Sequence, residues 1–303
     1  MNYFVSISCI TFNHKYFIKK CLEGILSQKT NFDFEVVIHD DASTDGTKEI
    51  IVEYQKKYPD IIFPYYQTEN QYSKGVRGFM AKYNFPRCRG KYIALCEGDD
   101  YWTDPYKLQK QIDFLEANPD YSLVFHKVKA LQKNNLYDDL EIERRYEKIV
   151  DKSNITTIDL LKNGNFIHTC SVVFRNNDPV IPKEIFYSTV GDYIIFIALS
   201  HCGSIKRLDD YMAVYRRGTG TYSSLSPVDM RKKMVEYHLC ILSFLTEEKE
   251  RLCFLEKCLD LIKTYEKAML SNSNIALKKS FFDIVKISIR KTKVLSFSLK
   301  KSS

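Results

Sequence analysis

The sequence lacks the features that would place the protein in a membrane or on a secretory route. No stretch reaches about 18 consecutive apolar residues, the length that a membrane-spanning helix needs, so we expect no membrane span. The first residues, MNYFVSISCITF, have no basic leader, no long apolar core and no small-residue cleavage site, which argues against a signal peptide. The nine cysteines include no CxxC pair, and several stand in apolar runs as small hydrophobic residues. We therefore expect a cytoplasmic protein in a reducing environment.

The sequence also has no excess of positive charge outside its last residues. The whole chain has 45 Lys and Arg against 38 Asp and Glu, a formal net charge of +7. Residues 278–303 contain eight Lys and Arg and one Asp, so they alone account for this charge and the remainder is formally neutral. A nucleic-acid-binding protein is expected to present its basic surface on the folded domain. The charge pattern therefore argues against a nucleic-acid partner.

The hydrophobic pattern alternates strands with helices in the first part of the chain. Apolar runs predict strands, and apolar residues at helical spacing predict helices. The predicted strands are 4–10, 34–39, 61–66, 91–96 and 122–126, and the predicted helices are 15–28, 47–57 and one that begins at Pro105 after the capping residue Asp104. Because this β-α-β-α-β order implies a parallel sheet with helices on its faces, we expect an α/β fold.

The second part of the chain is less regular. A highly charged segment predicts a mobile excursion. The predicted segments are this excursion over 127–157, a short helix over 157–163, a strand over 168–175, a helix that begins near Asp192, strands in SIKRL and YMAVYRR, and helices over 227–271. We predict one domain over 1–225, with halves 1–126 and 127–225, and a helical C-terminal appendage with a basic tail over 226–303.

Two acidic turns follow neighbouring predicted strands. DDASTDGT begins at Asp40, and EGDD occupies 97–100. Open α/β sheets bind ligands at the carboxyl ends of their strands, so both turns are expected at a ligand site. Three carboxylates within four positions repel one another unless a cation, a proton or water compensates their charge. EGDD is therefore either part of a metal site or a solvated turn, and the alternative for Asp40 and Asp41 is an Asx turn.

Three segments together resemble the family 2 glycosyltransferases, which have the GT-A nucleotide-sugar-binding fold. They are SISCITFN, VVIHDDASTDGT and GKYIALCEGDD, the last followed by a helix that begins with proline. The resemblance covers about the first 126 residues well, and the part from GDYIIFIALS to YMAVYRR moderately. EGDDYWTDP is similar to bacterial members that build capsular and other surface polysaccharides. The resemblance implies an inverting, metal-dependent transfer from a nucleotide sugar, with UDP expected, to a glycan or lipid-linked acceptor.

The resemblance also assigns the metal ligands. It implies that Glu97, Asp99 and Asp100 hold Mn²⁺ or Mg²⁺, ions that prefer oxygen ligands. Such an ion stabilises the charge that the leaving diphosphate gains. The family pattern is Asp-x-Asp, and here Glu97 takes the first position. Which of Asp99 and Asp100 binds the metal, and which meets the ribose of the nucleotide sugar, therefore stays open.

The remaining site residues follow from the same resemblance. A carboxylate recognises a ring N–H, so Asp41 is expected to accept a hydrogen bond from the base. The other predicted donor-site residues are Thr11, Asn13, Lys74, Arg77, Arg216 and Arg217, and the two last could instead bind the acceptor. Asp192 is the implied base for the acceptor hydroxyl. The alternatives are helix capping for Thr11, Asn13 and Asp192, and a solvated basic loop for Lys74 and Arg77.

Two residues limit further metal ligation. Gly218 stands where relatives often have a histidine after the arginine pair, which puts a metal-ligand role of that loop in doubt. His168 is expected to be a buried, hydrogen-bonded histidine and not a ligand.

There are two alternative functions. A sugar nucleotidyltransferase is expected to have a Gly-rich basic loop after the first strand. The segment at this place, CITFNHKYFIKK, has no glycine, which argues against that function. A catalytically silent relative that binds a nucleotide sugar or a partner is the second alternative. The joint presence of Asp99, Asp100 and Asp192 argues against it.

The basic tail suggests a membrane contact. Residues 281–299 mix bulky apolar and cationic residues, as in a helix that lies in the lipid headgroup region. This predicts peripheral contact with the cytoplasmic face of the inner membrane. The alternative is a helix packed on the protein with its lysines in water.

Overall fold

The computed structural model describes residues 3–177, 181–219 and 226–270. The chain divides into two compact units, Met1–Ser223 and Ser224–Ser303. In the described residues of the first unit, nine strands form one sheet. The strands are β1 Val5–Thr11, β2 Phe34–Asp40, β3 Ile62–Tyr66, β4 Tyr92–Leu95, β5 Tyr101–Trp102, β6 Tyr121–Gln132, β7 Asn135–Asp138, β8 Val173–Arg175 and β9 Ser204–Arg216.

The sheet has the order β3-β2-β1-β4-β8-β6-β9-β5, and β7 pairs with β6. The pairs β3–β2, β2–β1, β1–β4 and β6–β9 are parallel. The short strand β8 is antiparallel to both β4 and β6, so it joins two parallel parts of the sheet. The α/β sheet expected from the sequence is therefore confirmed.

Six helices flank the sheet in the described residues of the first unit, and all of them except α4 were predicted from the sequence. They are α1 Ile18–Leu26, α2 Thr47–Lys57, α3 Lys107–Ala117, α4 Leu140–Glu147, α5 Thr157–Asn163 and α6 Gly191–Ser200. Helix α1 buries Ile18, Cys21, Leu22 and Ile25, one apolar stripe at helical spacing. Gly24 lets α1 approach β5 closely, because an added Cβ would lie 2.7 Å from the carbonyl oxygen of Trp102.

Three predicted elements differ in detail. Helix α3 begins at Lys107 and not at Pro105, and the carboxylate of Asp104 accepts a hydrogen bond from the backbone N–H of Tyr106 at 2.8 Å. A 3₁₀ turn, Thr169–Ser171, replaces the first part of the strand predicted over 168–175. The two strands predicted in SIKRL and YMAVYRR are one continuous strand, β9.

The prediction that residues 127–157 form a mobile excursion is wrong. Strand β6 continues to Gln132 and turns into β7, and α4 follows. Lys133 and Asn134 have φ values of +48° and +69°, which suit a two-residue hairpin turn. Val128 and Ala130 are buried on β6. Apart from the nearly buried Asp139, the charged side chains of the segment are exposed or half-exposed.

The second unit contains two helices in its described residues, α7 Pro227–Phe244 and α8 Glu248–Leu270, as predicted over 227–271. Ser226 caps α7, since its hydroxyl accepts from the backbone N–H of Asp229 at 3.1 Å. None of the helices in the described ranges is long and apolar enough to cross a bilayer. The predicted domain boundary after residue 225 and the predicted membrane helix over 281–299 lie outside the described residues.

Candidate active site

The acidic turn after β4 forms a compact carboxylate cluster. Glu97, Asp99 and Asp100 each offer a carboxylate oxygen, and these atoms lie within 4.8 Å of one another. Asp100 is fully buried and Asp99 nearly so. Removal from water, together with the charge of Asp99, raises the pKa of both Glu97 and Asp100 well above the ordinary range. A solvated turn would not show this burial, so the structure favours the metal-site alternative.

Protein groups donate hydrogen bonds to only some of the carboxylate oxygens in the cluster. Oδ1 of Asp100 accepts from the backbone N–H of Arg216 at 2.8 Å. Oδ2 of Asp100 is buried, and among the described residues it has no partner beyond the nearby thiol of Cys170, a weak donor. No described residue donates a hydrogen bond to the carboxylate of Glu97. A buried carboxylate oxygen without a donor is the atom that a cation would satisfy.

Asp99 and Arg216 tie the cluster to the end of β9. Oδ2 of Asp99 accepts from the hydroxyl of Thr219 at 2.7 Å, and the Arg216 guanidinium donates to the Asp99 carbonyl. That guanidinium lies between the rings of Phe17 and Tyr101, with centroids 4.8 and 4.7 Å away. The structure therefore brings the predicted residues Asp99, Asp100 and Arg216 together.

Thr11 and His14 border the cluster from the end of β1. The hydroxyl of Thr11 lies 3.1 Å from Nδ1 of His14, and Nε2 of His14 lies 4.0 Å from Oδ2 of Asp99. Burial lowers the pKa of His14, and the nearby Asp99 carboxylate opposes that effect. A Cβ at Gly98 would lie 2.6 Å from Oγ1 of Thr11, so this contact requires glycine.

The second acidic turn is organised by its own hydrogen bonds. Asp40 accepts from the hydroxyl of Ser43 at 2.5 Å and from its backbone N–H at 3.2 Å, as in an Asx turn. The carboxylate of Asp41 accepts from the backbone N–H groups of Gln71 and Tyr72 at 2.8 and 3.0 Å. Burial raises the pKa of Asp41. Asp41 therefore holds the loop after β3, in addition to any role toward a base.

Asn13 supports the same turn. It has a φ of +54°, its side-chain oxygen accepts from the N–H of Thr44 at 2.9 Å, and its own N–H donates to Ser43 at 2.8 Å. Helix α1 begins only at Ile18. The alternative that Thr11 and Asn13 cap this helix is therefore wrong.

Lys74 and Arg77 are engaged within their own loop. Lys74 pairs with Glu69. Arg77 stacks on the ring of Tyr72 at 4.1 Å and donates to the carbonyl oxygens of Tyr72 and Val76. Both residues lie on the loop that Asp41 holds, beside the second acidic turn.

Asp192 lies in the first turn of α6. Oδ1 accepts from the N–H of Tyr193 at 2.8 Å, and Oδ2 accepts from Asn165 at 3.2 Å and from Thr169 at 3.4 Å. Burial raises the pKa of Asp192, and its charge contributes to the raised pKa of Glu97. The N-cap position of α6 belongs to Val190, so Asp192 is not the capping residue.

The chain matches the family model "Glycosyl transferase family 2" over residues 6–178, more than half of its length. It belongs to this family. The resemblance stated from its motifs is confirmed.

Three known proteins illustrate what this member of the family is similar to. Rv1520 of Mycobacterium tuberculosis is 37% identical over 215 residues, 70% of this chain and 58% of that protein. The match thus spans less than two thirds of that relative. TuaG of Bacillus subtilis bears the name of a teichuronic acid biosynthesis glycosyltransferase. It is 32% identical over 111 residues, 37% of this chain and 41% of that protein. S. aureus TarS, solved in complex with UDP-GlcNAc, has a TM-score of 0.66 at 17% identity, covering 95% of this chain and 81% of that chain. This likeness confirms the GT-A fold.

The two arginines at the end of β9, Arg216 and Arg217, contact different groups. While Arg216 lies at the cluster, Arg217 pairs with the nearly buried Asp139 at 2.6 Å. Adjacent residues of a strand point to opposite faces, which explains the difference. Nε2 of His168 lies 3.4 Å from the same Asp139 carboxylate, and the His168 ring packs on the ring of Tyr215.

Several polar residues of this site were not predicted. They are His14, Asn165, Thr169, Tyr215 and Thr219. Asn165 and Thr169 precede α6 by more than 20 positions, and the sequence alone offers no sign that they meet Asp192. Tyr215 and Thr219 flank the arginine pair in YRRGT, which is the signal that could have identified them.

Proposed function

We propose that this protein transfers a sugar, with inversion, from a nucleoside diphosphate sugar to a hydroxyl group of a glycan or lipid-linked acceptor. UDP is the expected nucleotide, and the product is part of a surface polysaccharide. The observation that carries the proposal is a carboxylate cluster with a buried, unsatisfied oxygen on Asp100, together with a separate, half-buried carboxylate, Asp192, whose charge acts on Glu97. The UDP-GlcNAc complex of TarS supports the donor class, and the name of TuaG supports the acceptor class.

The cluster fits a divalent cation. Three carboxylates within 4.8 Å of one another provide the oxygen ligands that Mn²⁺ and Mg²⁺ prefer. Asp99 and Asp100 would hold the ion, with Glu97 beside them. When bound, such an ion stabilises the negative charge that the diphosphate gains on leaving.

Asp192 has the properties of the base. The acceptor oxygen forms a bond to the anomeric carbon while its proton passes to Asp192. The bond from that carbon to the diphosphate breaks, and its electron pair leaves on the diphosphate. One displacement inverts the configuration and needs no enzyme nucleophile. Burial makes Asp192 a stronger base than an exposed aspartate, and the hydrogen bonds from Asn165 and Thr169 fix its orientation.

The donor is assigned to residues 1–126, which contain both acidic turns, and the acceptor to residues 127–225, which contain Asp192. Thr11, Asn13 and Asp41 are assigned to the nucleotide, and Arg216 to the diphosphate. Lys74 and Arg77 stay predictions for the diphosphate, and Arg217 for donor binding, since these side chains contact protein groups in the structure.

The test is a screen of UDP, GDP and CDP sugars for release of the nucleotide with Mn²⁺, with Mg²⁺ and with a chelator. Metal-dependent release from one donor class is the expected result. Release that continues undiminished in the chelator would remove the metal from the mechanism. Absence of release from every donor, with and without candidate acceptors, would favour a silent relative. NMR of the new linkage determines whether the configuration is inverted.

A further inference from the structure

His14 packs on the acidic turn that follows β4. Its ring nitrogen Nδ1 lies 3.1 Å from the hydroxyl oxygen of Thr11. An added Cβ at Gly98 would lie 3.0 Å from the same Nδ1, so the imidazole is in direct contact with the turn that carries the carboxylates. The other ring nitrogen, Nε2, lies 4.0 Å from Oδ2 of Asp99. These distances place His14 beside a proposed metal ligand.

The separation between Nε2 of His14 and Oδ2 of Asp99 suits two ligands of one ion. At 4.0 Å it is too long for a hydrogen bond. Ligand atoms that each lie about 2.1 Å from an octahedral ion are about 3.0 Å apart when adjacent and about 4.2 Å apart when opposite. The observed separation falls between these limits, so one ion can reach both atoms. In the described part of the chain, no residue forms a hydrogen bond with this nitrogen.

Thr11 provides the support that a metal-binding histidine requires. Such a histidine binds the ion through one ring nitrogen and donates the N–H of the other nitrogen to a fixed acceptor. The hydroxyl oxygen of Thr11 can accept from Nδ1, and Thr11 is nearly buried at the end of β1. When the proton is on Nδ1, Nε2 has a free lone pair. The opposite tautomer would have an N–H at Nε2, which could donate to a phosphate oxygen but could not bind the ion.

We propose that Nε2 of His14 is a further ligand of the divalent ion, together with Asp99, and that this nitrogen makes the site favour Mn²⁺ over Mg²⁺. The inference rests on the metal dependence in the proposed function. An imidazole nitrogen is a softer ligand than a carboxylate oxygen, and Mg²⁺ strongly prefers oxygen.

Pulsed EPR of Mn²⁺ bound to the protein, without nucleotide, tests this ligand directly. A nitrogen nucleus bonded to the ion modulates the spin echo, so the wild-type protein should show nitrogen modulation. His14→Gln should lose it, because glutamine can reach the ion only with an oxygen ligand. His201→Gln should keep it and is the matched control, since His201 is exposed at the C-terminal end of α6.

Isotopic labelling of histidine nitrogen gives the same test without a variant. The modulation of the labelled wild-type protein should shift to the frequencies of the heavier isotope. Among the histidines that the structure describes, His14 alone has a ring nitrogen within 4.0 Å of a carboxylate of the cluster. The assignment therefore stands even if His14→Gln does not fold, which thermal melting determines.

Calorimetric titration with each ion measures the preference. His14→Gln should bind Mn²⁺ roughly tenfold or more weakly, while its affinity for Mg²⁺ should change much less. His201→Gln should change neither. Bound Mn²⁺ without nitrogen modulation in the wild type, or modulation that His14→Gln retains, would overturn the inference and leave the carboxylate site standing. Absence of any Mn²⁺ binding would refute the metal dependence of the proposed function, and this inference with it.

Discussion

Replacing Asp100 with asparagine should stabilise the metal-free protein while it inactivates the enzyme. The variant keeps an oxygen that can accept from the N–H of Arg216. It removes a buried charge and replaces the unsatisfied Oδ2 with an N–H donor that faces the carboxylates of Glu97 and Asp99. Relief of one unsatisfied buried group contributes about 1–2 kcal/mol to the free energy of unfolding. For a unit of 223 residues this corresponds to a rise in Tm of about 2–8 °C.

The effect should depend on pH in a defined direction. The folded-state pKa of Asp100 is raised, so the native state binds this proton more tightly than the unfolded state does. Stability of the metal-free wild type should therefore fall as the pH rises from the unfolded pKa of about 4 through the folded pKa. The advantage of Asp100→Asn should be largest near pH 8 and should shrink toward pH 4.

Metal should reverse the order of stability. With Mn²⁺ at about 100 times its Kd, binding adds about 2.7 kcal/mol to the wild type, roughly 5–11 °C in Tm. Asp100→Asn should lose most of this shift and most of its turnover. Scanning calorimetry in chelator and in Mn²⁺ measures both quantities, with the exposed substitution Asp113→Asn as control. A variant that melts below the wild type in chelator at pH 8, or that keeps the full Mn²⁺ shift, would refute the reasoning.

Three further outcomes are expected. Asp192→Asn should keep donor binding but lower transfer by about 10² or more, measured with saturating acceptor; normal transfer would leave Asp192 a structural residue. Gly98→Ala should lower the free energy of unfolding by about 1–3 kcal/mol, because the added Cβ would lie 2.6 Å from Oγ1 of Thr11, whereas Gly191→Ala meets only ordinary contacts at 3.6 Å and should melt like the wild type. A chain that ends at Leu277 should sediment less with anionic liposomes than the full chain; equal binding by both, or none by either, would contradict the membrane role of the tail.

Local chemistry made the sheet and the carboxylate cluster predictable. Strands β1, β2 and β4 bury both faces and are therefore rich in apolar residues, and helices α1 and α2 carry apolar stripes. Glu97, Asp99 and Asp100 lie within four positions of one strand end. Their proximity therefore required no knowledge of the tertiary fold.

The parts that were missed depend on contacts between distant segments. Asp192 meets Asn165 and Thr169 across 27 and 23 positions, and Asp99 meets Thr219 across 120. The partition of Arg216 and Arg217 depends on the register of β9, which no local pattern specifies. The ordered segment after residue 127 was mistaken for an excursion because its exposed charges obscured the buried alternation in β6.

The three carboxylates differ in how many protein groups donate hydrogen bonds to them, and this difference predicts which of the three positions can change its residue among relatives. Asp100 is bonded to the backbone of β9 and Asp99 to Thr219, whereas no described residue donates to Glu97. A side chain that only the ligand constrains can gain a methylene group without disturbing its neighbours. Glutamate in place of the family's first aspartate is therefore compatible with this site, and a comparison of relatives should find length changes at this position and strict geometry at the position of Asp100.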